Sequence, residues 1–171
     1  EKNPYGRPDF SLTVSENPVA SSGSPSQYRE QVFAHMLRTR RGKYDWWLRG
    51  MKAVKFATCE YERGELLETI YAVMHYIDDV VDGDAEIPDG YLSAATYVEE
   101  KMAFVQGRRK PRDSMEVLLR HSLELAENIG EDFSSEIQDI LESMLFDAKR
   151  RNPALLSTYP QEQLQQHFHM Q

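Results

Sequence analysis

The chain has 171 residues, 40% of them hydrophobic and 28% charged, with a formal net charge of −8. That is the size of one domain with room for a buried core, and its acidic balance argues against a nucleic-acid partner, which would want a basic stripe. The single cysteine, Cys59, excludes an internal disulfide and fits a reducing compartment, while no apolar run approaches the ~20 residues of a membrane span; the expectation is a soluble, cytoplasmic protein.

Residues 1–23 are rich in Pro, Ser, Asn and Gly without a sustained apolar period, and read as an extended or disordered arm. The domain is expected over 24–171. It opens at Ser24-Pro25-Ser26-Gln27, where Ser24 can cap a helix, Pro25 suits its first position and Gln27 can complete a capping box. Tyr28, Val32, Met36 and Leu37 then mark one helical face. Gly42 and Gly50 read as breaks around Tyr44-Asp45-Trp46-Trp47, followed by a segment from about Met51 to Tyr61 and a boundary at Gly64. Beyond it, Leu66, Leu67, Ile70, Tyr71 and Met74 repeat at helical spacing toward a run of aspartates. Gly83 to Gly90, with Pro88, must be a loop. Helices are predicted over about 93–106, 114–129 and 134–151, the last with Ile137, Ile140, Leu141, Met144 and Ala148 on one stripe and Pro153 ending it. A further helix begins at 161–171. Alternating strand patterns are nearly absent, so the fold class is all-α.

Chemistry concentrates in Tyr71 to Asp84. On a helix Asp78 and Asp82, four apart, present their carboxylates together, Asp79 joins from the flank, and His75 and Tyr71 lie on the same side one and two turns earlier. Like charges at that spacing repel, and the helix C-terminus disfavours anions. An apolar helix that accepts both penalties points to a bound cation. Carboxylate oxygens with room for water suit magnesium, which bridges readily to phosphates; no Cys/His set at zinc spacing is present. A solvated helix end is the plainer alternative.

Tyr71-Ala72-x-x-His75-x-x-Asp78-Asp79-x-x-Asp82 resembles the first aspartate-rich motif of the squalene/phytoene synthase family, usually Tyr-Ala-Phe-Cys-Arg-x-x-Asp-Asp-x-x-Asp. Ile140 to Asp147 is similar to the family's Ile-x-Gly-Met-x-x-Asp segment, and Tyr97-Val98-Glu99-Glu100-Lys101 fits the helix expected between them. The resemblance covers about Phe56 to Phe168. It implies a helical bundle of the isoprenoid synthase type around a central cavity, and a magnesium-dependent, head-to-head prenyltransferase. Its substrate would be a prenyl diphosphate such as farnesyl or geranylgeranyl diphosphate. Metal-assisted departure of one diphosphate would generate an allylic cation, captured by the second prenyl double bond as a cyclopropyl diphosphate. By that likeness Asp78 and Asp82 are the principal metal ligands with Asp79 assisting, and Tyr71 points toward the reacting diphosphate. Lys55-Phe56 stands where the family has a phosphate-contacting Ser-Phe pair, His75 replaces the family's Arg, Met144 lines the wall and Asp147 lies deeper on its helix. Ser143 stands in place of the family's Gly.

The helix carrying the family's second aspartate-rich motif would lie beyond this sequence. The sequence would then be a fragment whose bundle is incomplete at the C-terminus, or a second chain would supply that half, or the protein is a non-catalytic member that binds a prenyl lipid or a protein partner. Head-to-tail synthases and terpene cyclases also use an Asp-Asp-x-x-Asp helix, but the Tyr71-Ala72 and Met144/Asp147 contexts count against them. Trp46-Trp47 with Phe56 fit core packing better than a prenyl tunnel, and Cys59 reads as buried or inert. Arg108-Arg109-Lys110 reads as a solvated turn open to peripheral membrane contact, Lys149-Arg150-Arg151 as a basic last turn that suits the helix dipole, and His167 and His169 as unremarkable. No Gly-rich nucleotide fingerprint is present.

Overall fold

The computed structural model describes residues 23–39, 41–107 and 109–151. These residues form an all-helical fold without strands: α1 (Pro25–Thr39), α2 (Arg41–Thr58), α3 (Tyr61–Asp82), α4 (Ala94–Val105), α5 (Ser114–Asn128) and α6 (Ser134–Arg150). None is long and apolar enough to cross a membrane. Residues 1–22 of the arm expected over 1–23, the stop at Pro153, the segment 161–171 with His167 and His169, and Arg108 lie outside the described residues.

The helix starts follow from local chemistry. At α1 the capping box forms as expected: Gln27 N donates to Ser24 Oγ (3.4 Å) and Ser24 N to Gln27 Oε1 (2.9 Å). Ser93 caps α4 by accepting from Thr96 N, and Asp113 caps α5 by accepting from Glu116 N at 2.9 Å. Gly83, with φ +78, closes α3 in the left-handed conformation. Three glycines expected to mark breaks lie inside helices. α2 runs through Gly42 and Gly50, and Gly64 lies inside α3. α2 gives way to α3 at Cys59 instead, whose φ of +57 is unusual for a residue with a side chain. Cys59 is exposed rather than buried.

α3 occupies the centre and packs on each of the other five helices, while α4 packs on α6 and α1 on α5. Val73, Ile77, Leu118, Leu119, Ile137 and Leu141 are fully or almost fully buried in the resulting core, with Val32 and Met36 from α1. Gly64 has a packing reason: a Cβ there would come within 2.6 Å of Lys55 Cγ. Its bareness lets α2 approach α3 closely.

The chain after the aspartates is anchored by a buried polar knot. Lys101, fully buried on α4, uses its three donors on Tyr91 Oη (2.8 Å), Glu116 Oε1 (2.8 Å) and Asp113 Oδ2. Arg109 grips both oxygens of Glu116 at 2.5 Å. The Lys101 ammonium also lies over the rings of Tyr91 (4.7 Å) and Tyr97 (4.4 Å). The 107–110 turn is therefore not simply solvated: Arg109 is drawn in to satisfy a buried carboxylate.

Candidate functional site

Five positions of α3, at 68, 71, 75, 78 and 82, fall within about 80° of one another around the helix. α2 runs antiparallel along this stripe. Lys55 Nζ lies 3.4 Å from Glu68 Oε2, the Trp47 ring stacks on Tyr71, and the Tyr44 hydroxyl lies 3.2 Å from His75 Nδ1. Tyr71 also meets the His75 ring edge-on at 4.1 Å. The fold thus brings Lys55, Tyr71, His75 and Asp78 onto one α2–α3 seam that ends at Asp82. Burial, with a smaller contribution from Tyr44, pushes the Tyr71 hydroxyl up to about 12. It is a hydrogen-bond donor at neutral pH, not a base.

The three aspartates have separate surroundings. Asp78 is half-buried on the stripe. Asp79 is buried at 1% exposure, with its Oδ2 3.2 Å from His35 Nε2 on α1. Its backbone carbonyl accepts from the amides of Asp84 and Ala85, which fastens the turn after the helix. Asp82 is exposed and held by Arg151, whose guanidinium meets Asp82 Oδ1 and the Asp82 carbonyl at 2.5 Å each. Among the described residues, no group of three or more His, Cys, Asp or Glu side chains is drawn together as a ready metal cluster.

The second segment of the resemblance arrives at the same end of the molecule. Arg151 follows Asp147 by one turn, so its contact with Asp82 carries the end of α6 to the end of α3. Met144 is half-buried against the core, and Asp147 is half-buried with Arg150 at 3.1 Å. Lys149 bridges to Glu99 of α4 at 2.9 Å. The basic end of α6 therefore makes specific ion pairs beyond any favourable helix-dipole effect. Phe56 does not join the seam: it lies 69% exposed on the far side of α2, edge-on to Tyr61. Trp46 is 77% exposed, so only Trp47 of the tryptophan pair packs as expected.

Tyr44, His35 and Arg151 are the neighbours that sequence reasoning did not assign. Tyr44 sits one helical turn before Trp47, in phase with the seam, which is the one signal that pointed to it. His35 and Arg151 lie 44 and 69 residues from their aspartates, and nothing local marks either pairing.

No family model, no curated protein and no solved structure matches this chain.

Proposed function

We propose that the chain acts on prenyl diphosphates as a magnesium-dependent prenyltransferase of the squalene/phytoene synthase type. The observation that carries the proposal is the convergence of two segments far apart in sequence. Arg151, one turn beyond the Met144–Asp147 segment, contacts Asp82 at the end of the Tyr71–Asp82 stripe and so brings the ends of α6 and α3 together.

The donor chemistry fits the ion. Magnesium is commonly held by one or two carboxylates, with waters and substrate phosphates filling its remaining positions. Asp78 and Asp82, one turn apart and accessible, are the pair that would hold it, while Asp79 faces α1. When bound, the ion would neutralise the departing diphosphate. Tyr71 keeps its proton and donates toward the phosphate side of the seam. Lys55 and His75 supply further donors along it, and Arg151 would exchange its carboxylate partner for a phosphate oxygen. Met144 contributes apolar wall.

A second reading is favoured by one observation: Asp79 and Asp82 already have cationic or imidazole partners within the chain. Such a protein binds the prenyl diphosphate without turning it over. Incubation of the protein with labelled farnesyl and geranylgeranyl diphosphates, with magnesium and with EDTA, separates the two. Turnover is expected only with magnesium, and Asp78→Asn or Asp82→Asn should each cost roughly 10²–10³-fold, the equivalent of several kcal/mol of lost charge stabilisation. Binding without product selects the second reading. Absence of binding refutes both.

A further inference from the structure

We infer that the outer face of α2 docks the protein onto anionic lipid surfaces. The helix has two unlike sides. Tyr44, Leu48 and Met51 are buried inward, while Trp46, Gly50, Ala53, Val54, Phe56 and Ala57 are all exposed. On a 100°-per-residue wheel Trp46, Gly50, Ala53 and Ala57 form the centre of the outward face. Exposed Arg49 and Lys52 flank it beside Phe56. Trp46 and Phe56 are 77% and 69% exposed, Phe56 meeting only the edge of the Tyr61 ring among the ring contacts of the described residues.

Charge identifies the occupant. On the outward side Arg49 and Lys52 are the exposed cations, with Asp45, 3.1 Å from Arg49, the one acid of the helix. The whole of α2 carries five Lys or Arg against one Asp, a net +4 inside a chain of −8, so the remainder carries −12. An anionic surface repels that remainder and attracts this helix, which orients the molecule with α2 toward the surface. A large indole beside cations, around small residues that let the helix lie close, is the composition of an interfacial helix. The face is also convex, spanning about 16 Å from Trp46 to Ala57. That shape suits the plane of a headgroup layer better than a groove-seeking peptide. This inference is independent of what the α2–α3 seam binds, because the seam and this face are opposite sides of α2.

The experiment is co-sedimentation of the full chain with vesicles of phosphatidylcholine alone and with about 30% phosphatidylserine added. The expected result is binding to the anionic vesicles only, weakened by salt, with a blue shift of tryptophan emission that Trp46→Phe removes. Trp46→Ala should weaken binding. Arg49→Gln with Lys52→Gln should weaken it about 25-fold, from about 5-fold per cation near the surface. Arg120→Gln, an exposed cation on α5, should leave it unchanged. All these side chains are exposed, so an unaltered melting temperature verifies the fold of each variant. Failure to bind anionic vesicles overturns the inference, as does binding that the α2 variants leave intact. A concentration-dependent dimer abolished by Trp46→Ala, without vesicle binding, would assign the face to a second copy and equally overturn it.

Discussion

Replacing Lys101 by Met tests whether the buried knot between α4 and α5 holds the fold. Met keeps the length and apolar bulk of the lysine stem between the Tyr91 and Tyr97 rings, so the substitution removes chiefly the charge and its donors. Arg109 continues to hold both oxygens of Glu116. The uncompensated charge is then Asp113, whose side chain is 7% exposed and whose remaining side-chain partners are the Tyr91 hydroxyl at 2.6 Å and the Glu116 amide. Breaking a buried pair by removing one member costs about 3–5 kcal/mol. For a domain of this size that corresponds to a fall in melting temperature of roughly 10–15 °C. With a urea m-value near 2 kcal/mol/M the midpoint would fall by roughly 1.5–2.5 M. Adding Asp113→Asn removes the stranded charge yet keeps an oxygen to cap α5. The double variant should therefore recover part of the loss, a coupling readable by urea titration of all four proteins. A cost for Lys101→Met below about 1 kcal/mol, or a double variant whose cost is the sum of the singles, would refute the claim that the pair is a buried, mutually dependent ion pair.

Two helical glycines should respond with opposite signs. Gly50→Ala meets nothing within 4 Å and should stabilise by up to about 1 kcal/mol, whereas Gly64→Ala drives a Cβ to within 2.6 Å of Lys55 Cγ and 2.9 Å of Lys55 Cβ and should destabilise, both by thermal melting. The near end of the Lys55 side chain cannot swing aside without moving α2. At high pH the tyrosines matter. Burial, foremost, pushes Tyr71 and Tyr76 up to about 12, and Asp113, Asp79 and Glu86 add to the effect at Tyr76. Above pH 10 the unfolded chain gives up these protons while the folded chain keeps them. Their stabilising contribution is present below pH 10 and is lost as pH rises from 10 to 12. Tyrosinate absorbance of these rings should therefore appear together with loss of helical circular dichroism; ionisation of all tyrosines near pH 10 in a protein that stays folded would contradict it.

Caps, one helical face and one helix stop are legible in the sequence because their causes are local. The Ser24–Gln27 capping box, the Tyr28/Val32/Met36 face and the stop at Gly83 depend on a few adjacent residues, and each formed as the spacing predicted. The glycine breaks failed because a helical glycine costs only about 1 kcal/mol, which packing easily offsets. At Gly64 the missing side chain is what the packing requires. Lys101 looked like one more charged helix position; its burial depends on Asp113 and Glu116, 12 and 15 residues away. The spacing of Asp113 and Glu116 is that of a capping box, and that signal was available. The exposure of Trp46 and Phe56 could not be read, because hydrophobicity says what a residue prefers and not which face of α2 the seam would claim.

Helix geometry also explains why three aspartates in five positions do not share one task. At 100° per residue, Asp78 and Asp82 stand about 40° apart, whereas Asp79 is rotated about 100° from Asp78. Once α2 covers the side bearing Tyr71 and His75, the Asp79 direction necessarily faces a different neighbour, and α1 meets it with His35. Asp79 is thereby committed twice over, its carboxylate to α1 and its carbonyl to the Asp84 and Ala85 amides that turn the chain out of α3. The consequence is a division of labour within the run: Asp79 holds the end of α3 in place, and Asp78 with Asp82 remain on the accessible edge of the seam. Replacing Asp79 should therefore move stability first and ligand binding second, while replacing Asp78 should do the reverse.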